Sequence, residues 1–220
     1  MVSLSPGDDV LLAAEAHLLT VLGQDSGRAG VSFVGTERVD VLRFGPDPDG
    51  VVRYVTLGMS RAPMADPTAP VVDESGPRAE LVLALRGTRD EVLRPLAVLA
   101  ASPAVEGLVV APGAGLDLGE PLWPGSRFTA VLVDEPGPVP DLPLEPVHDL
   151  AGGDVLAALA DASATGRLVA RSPVRFLPLR PMTAHEAAWK RVHGAAALRG
   201  RWREAGVDLL DPDRPPVGLA

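Results

Sequence analysis

Three stretches of this 220-residue chain combine residue types that do chemistry. His185-Glu186 stands at the head of a helix-forming run, as the first half of the zinc-protease pattern HExxH would. The residue four beyond His185 is Trp189, so the second imidazole is missing. His193 is a further turn away, about 12 Å up a helix from His185 at 1.5 Å per residue. Ligands that must each lie about 2 Å from one zinc cannot be so far apart. Glu186 is instead the acid of a capping box opened by Thr183, whose hydroxyl and the glutamate satisfy each other's free amides. No metal site is expected. Gly113, Gly115 and Gly119 follow an apolar run, as dinucleotide-loop glycines do. Their spacing is GxGxxxG, and Pro121 and Pro124 stand where the phosphate-binding helix should begin. Without those helix N-terminal amides the glycines read as turns, and no cofactor is expected. Gly58-Met59-Ser60 approaches a nucleophile elbow, but position 62 is Ala62, not glycine. Lys190 is the only lysine, which removes any Walker loop, and no cysteine is present for a thiolate. With 29 acidic residues, a buried carboxylate pair stays open as a hydrolase alternative.

The elements that would position these residues are legible as periods and breaks. Ser5-Pro6-Gly7-Asp8-Asp9 has the cap, proline and acids of a helix start, and leucines at helical spacing run on to Gly23. Val39–Phe44 and Val51–Leu57 flank the turn cluster Gly45–Gly50, which predicts a hairpin. Arg78–Arg86 carries an unbroken apolar run from Leu81 to Leu85, expected of a central strand covered on both faces. Thr88 and Glu91 have capping-box spacing before a helix through Val92, Leu96 and Leu99 that stops before Pro103. Further strands are expected at Leu108–Ala111, Phe128–Val133 and Pro173–Leu179, with a short helix over Ala151–Thr165. Thr183 then opens a long C-terminal helix, the longest of the chain, with Ala188, Val192, Ala195, Leu198 and Trp202 as its apolar stripe. No linker separates two cores and no repeat shows, so 1–220 reads as one α/β (α+β) domain: a mixed sheet flanked by helices.

Composition narrows the function classes. Hydrophobic residues are 46% and charged residues 22%, the usage of a folded globular chain. Net charge is −9 and the pI about 4.9, against a phosphate-binding surface and against nucleic acid as a partner. The first residues lack the basic and apolar segments of a signal peptide, and no apolar run approaches the ~20 residues of a membrane span. A cytoplasmic, cofactor-free protein is the expectation.

Several weak motifs stand in a telling order. They are Arg53-Tyr54-Val55-Thr56-Leu57-Gly58-Met59-Ser60, then Arg78-Ala79-Glu80-Leu81-Val82-Leu83-Ala84-Leu85, then Val131-Leu132-Val133-Asp134-Glu135-Pro136. Val174 to Thr183 with Glu186 follows, and Asp208-Leu209-Leu210-Asp211-Pro212-Asp213-Arg214 closes the series. Together, from about Val31 to Arg214, they resemble the suppressor of fused (SUFU) family in its bacterial single-domain form. The resemblance implies a mixed α/β fold without catalysis, whose animal member clamps an extended peptide as an added strand between two domains. It also implies, for bacterial relatives, immunity proteins against polymorphic toxins. Two departures limit it: no second clamp domain follows, and Arg61-Ala62-Pro63-Met64 replaces the acidic residue and tyrosine of the animal form.

The expectation is therefore a non-catalytic domain that sequesters another protein, for which a basic toxin would suit the acidic surface. A structural subunit of a larger assembly is the third alternative. Tyr54, Ser60, Arg61, Met64, Trp123 and Phe128 are the candidate partner contacts, with Trp123 as an aromatic anchor between two prolines. Equally open for Trp123 is a place folded onto the core.

Overall fold

The computed structural model describes residues 7–32, 37–65, 68, 73–149 and 167–219. Its organising element is Arg78–Arg86, here β4, the middle strand of a seven-stranded sheet. Leu81, Leu83 and Leu85 face one side and Val82 the other, and all are nearly solvent-free. An unbroken apolar run is what a strand covered on both faces requires. The sheet runs β1 (Gly27–Val31), β2 (Val39–Phe44), β3 (Val51–Leu57), β4, β9 (Val174–Thr183), β6 (Phe128–Val133) and β5 (Gly115–Asp117). Every neighbouring pair is antiparallel except β4 and β9, so the sheet is mixed. The β2–β3 hairpin closes around Asp47, whose carbonyl and side chain receive the amides of Gly50 and Val51. A separate two-stranded ladder joins β7 (Val147–Asp149) to β8 (Arg167–Val169).

Helices cover both faces. On one side α2 (Leu93–Glu106) seats Leu96, Leu99 and Ala100 on Val41, Leu81 and Leu83. On the other, α1 (Asp8–Leu22) places Val10, Ala14 and Leu18 on Leu42, Phe44 and Val55. Farther along that second face, α3 (Ala184–His193) and α4 (Ala195–Glu204) cover β6 and β9 through Ala187, Leu198 and Trp202. The alternation of β6 feeds both layers: Val131 and Val133 enter the α2 core, Ala130 and Leu132 the α3–α4 core. Each fully buried leucine contributes about 1.5–3 kcal/mol of transfer free energy.

Several expectations are corrected. The long C-terminal helix is a pair, because Gly194 (φ 86°, ψ 165°) turns the chain between two ten-residue helices. That break resets the helical phase, so Val192 is 77% exposed and Ala188 is exposed, while Leu198 and Trp202 are buried. The helix α2 runs through Pro103 to Glu106. A proline there leaves the Leu99 carbonyl without its amide, and the Ser102 hydroxyl donates to it at 2.7 Å. The capping box expected at Thr88 does not form; a 3-10 turn over Asp90–Val92 leads into α2. Leu108–Ala111 forms no strand, while β1, β5, β7 and β8 are strands that no sequence period marks. Ser5, Pro6 and the expected helix over Ala151–Thr165 lie outside the described residues.

Candidate partner-binding site

Two buried carboxylates are the first test of the hydrolase alternative. Glu80, on β4, is wholly buried and takes four donors. Its Oε1 accepts from the Gly58 amide, the Ser60 amide and the Ser60 hydroxyl at 2.9, 2.9 and 2.7 Å. Its Oε2 accepts from Thr56 Oγ1 at 2.6 Å. The residue thus clasps the Gly58-Met59-Ser60 turn that imitated a nucleophile elbow: the serine donates to a carboxylate and has no imidazole base. Glu186 is equally buried and equally committed. Beyond the capping box with Thr183, it accepts from Trp202 Nε1 at 3.0 Å and from both Arg214 Nη atoms at 2.8 and 2.9 Å. Burial opposes its charge, but Arg214, the Thr183 amide and the Trp202 indole outweigh this and hold its carboxyl below the usual range. Both groups are structural clasps that spend their lone pairs on their own chain. Among the described residues no three His, Asp or Glu side chains gather as a cation's ligand set.

Of the six side chains named as surface contacts, five lie in the interior. Tyr54 is fully buried, and its hydroxyl accepts the Arg89 amide at 2.6 Å. Ser60 belongs to the Glu80 clasp. Met64 is buried, with its sulfur receiving the Val110 amide at 3.3 Å. Trp123 is 5% exposed and packs on Phe128 at 5.8 Å between ring centroids. The tryptophan is therefore folded onto the core, and the surface expectation for these five is corrected. Arg61 alone reaches solvent in part, and it pairs with Asp8 at the start of α1.

The sheet edge at β5 holds the open groups instead. The Ala114 carbonyl accepts the Val133 amide and the Leu118 amide donates to the Thr129 carbonyl, both on the β6 side. By the alternation of an antiparallel ladder, Gly115 and Asp117 then turn their N–H and C=O groups away from the sheet. Both residues are exposed. The last turn of α3 lies alongside: Arg191 donates to Asp117 Oδ2 at 3.0 Å. Lys190 Nζ lies 3.1 Å from where a side chain on Gly115 would begin. Lys190 has no carboxylate partner among the described residues. Partial burial pushes its ammonium below the usual lysine range, and the neighbouring Arg191 and Arg199 add to the effect. A bare strand edge with a spare half-buried cation beside it can take an extended segment that carries an acid. The sequence hid this because three residues among turn glycines give no period to read.

Comparison with known proteins agrees with the architecture. A family model for the Suppressor of fused protein (SUFU) matches residues 35–215. A putative SUFU homologue from Neisseria gonorrhoeae superposes with a TM-score of 0.64 at 20% identity, over 97% of this chain and all of that one. A crystal structure of a Sufu–Fu complex gives 0.61 at 13% identity, over 96% of this chain and 91% of the other. Drosophila Suppressor of Fused gives 0.57 at 12% identity, and this chain spans 51% of its length. No curated protein sequence matches. The chain belongs to the suppressor of fused family.

Proposed function

We propose that this suppressor of fused domain holds a segment of another polypeptide as a strand added along β5, and that it acts by restraint rather than turnover. The observation that carries the reading is the outward-turned backbone of Gly115 and Asp117 beside the uncommitted Lys190. The solved Sufu–Fu complex supports a protein as the partner class. Lys190 favours an acidic residue in the docked segment, while the net charge of −9 favours a partner that is basic as a whole. A basic toxin domain, with this chain as its immunity protein, fits both. The buried aromatic pair Trp123 and Phe128 then supports β6, on which β5 is built, and does not touch the partner.

Capture from native-host extract with wild type and Gly115→Pro tests the reading. Proline removes an outward N–H and is tolerated on an edge strand, so the fold should persist while capture is lost. Undiminished capture by a folded Gly115→Pro variant would overturn strand addition at this edge.

A further inference from the structure

On the face that carries α1 at one end and α3–α4 at the other, the described helices leave a gap over the Ala84 row of β3, β4 and β9. A cavity of about 240 Å³ occupies that gap. Its floor is Ala84, the small residue of the row. Arg53 on β3 is the register partner of Ala84, and the parallel ladder that pairs Leu83 with Leu179 brings Arg180 to its other side. Two arginine positions thus flank one alanine across three strands, their backbones about 10 Å apart at two strand spacings. Phe176 and Val139 form an apolar wall, and Leu210 closes the opposite flank, where its carbonyl receives the Arg86 amide at 2.7 Å.

The charge of this cavity is opposite to that of the chain. No Asp or Glu is among its described lining residues, although acids outnumber basic residues 29 to 20 overall. Neither arginine is used up. Arg53 gives Nη1 to Asp47 at 2.8 Å, and Arg180 gives Nε to Asp134 at 3.0 Å. Asp134 is also claimed by Arg199 Nε at 2.6 Å, so one carboxylate serves two guanidinium groups. The remaining N–H donors of Arg53 and Arg180 have no partner among the described residues. Their side chains are only about a quarter exposed (27% and 26%), so they are held in place at the rim. A planar fork of donors at an apolar hollow matches a carboxylate on a short hydrocarbon body.

We propose that this sheet-face cavity binds a small monocarboxylate with a compact apolar group, its carboxylate between Arg53 and Arg180 and its body against Phe176 and Val139. A cavity of about 240 Å³ has room for a short acid such as hexanoate. Closure by Leu210 on one flank and the Val139 loop on the other favours a short molecule over a chain passing through. The site lies on the sheet face and is independent of the β5 edge.

Titration of the isotope-labelled full chain with hexanoate, 1-hexanol and hexylamine, followed by amide chemical shifts, tests it. Hexanoate should move the Val82, Ala84 and Phe176 amides saturably, with the neutral and cationic analogues at least tenfold weaker. Ala84→Leu, which fills the floor, and Arg53→Gln/Arg180→Gln should each weaken hexanoate at least tenfold in a protein with a native spectrum, while partner capture is unchanged by Ala84→Leu. Equal binding of hexanol, undiminished binding by Ala84→Leu, or absence of saturable shifts would overturn the proposal. So would binding of a free peptide C-terminus, such as acetyl-Gly-Gly-Leu, in preference to hexanoate.

Discussion

At the scale of single residues, Glu80 and Glu186 show why a buried acid is not by itself a catalyst. Each is surrounded by donors from its own chain, so its desolvation is offset by bonds made in folding. Glu80→Ala would strand the Gly58 and Ser60 amides together with two hydroxyls. A loss of about 3–5 kcal/mol in urea unfolding is expected, since each orphaned donor costs roughly 1–3 kcal/mol with partial relaxation. For Glu186 the ion pair with Arg214 sets a sharper test. Removing one partner leaves a buried charge, so Glu186→Gln should cost about 3–5 kcal/mol. Glu186→Gln/Arg214→Met should recover part of that, and a double-mutant cycle reads the coupling. The pH dependence follows the lowered carboxyl of Glu186. In the window just below the ordinary carboxylate range the unfolded state binds the proton first, so stability rises with pH there. It is fully present above the unfolded value and lost as pH falls through the folded one. A shallower acid limb in the Glu186→Gln variant is the expected measurement.

At the scale of elements, the decisive residue is Gly194. Its backbone lies in a region that is essentially glycine-only, and this is what makes two helices from one apolar stripe. Gly194→Ala should destabilise by about 1–3 kcal/mol in chemical denaturation. An unchanged midpoint would mean that the helix pair can straighten without loss. The helices and long strands were legible because their signals are local: apolar runs in β4 and β6, the Gly45–Gly50 turn, and the Thr183 capping box. Misread elements failed where a single side-chain bond replaced the expected backbone pattern. The Tyr54 hydroxyl takes the Arg89 amide at the entry to the 3-10 turn, where no Thr88 cap forms, and the Ser102 hydroxyl allowed a proline inside α2.

At the scale of the whole molecule, the proposed function makes the net charge of −9 and the β5 edge the features that would govern encounter. Association with a basic partner should slow steeply as ionic strength rises, because the Debye length shrinks from ~10 Å at 0.1 M to ~3 Å at 1 M. Stopped-flow rates against salt check this, and a flat dependence would argue against a basic partner. Lys190→Met should cost about 0.5–1 kcal/mol of affinity through the dissociation rate, as a partly exposed ion pair does. Hydrogen exchange should find β4 and β9 the best protected and β5 among the least, since edge strands open locally. No helix among the described residues is long and apolar enough to cross a membrane.

What the sequence by itself determined is whatever a short window can encode: strand and helix periods, turn chemistry, one capping box, and the mixed α/β class they compose. Its ordered motifs also carried the family. Only the tertiary structure decided which side of each residue met solvent. Trp123 and Tyr54 were sent inward by layers they could not signal alone. The three residues of β5 became a strand through register with β6, and Arg53 met Arg180 across Ala84 because β3, β4 and β9 are neighbours only in space. Exposure and juxtaposition depend on contacts far apart along the chain, and no local period records them.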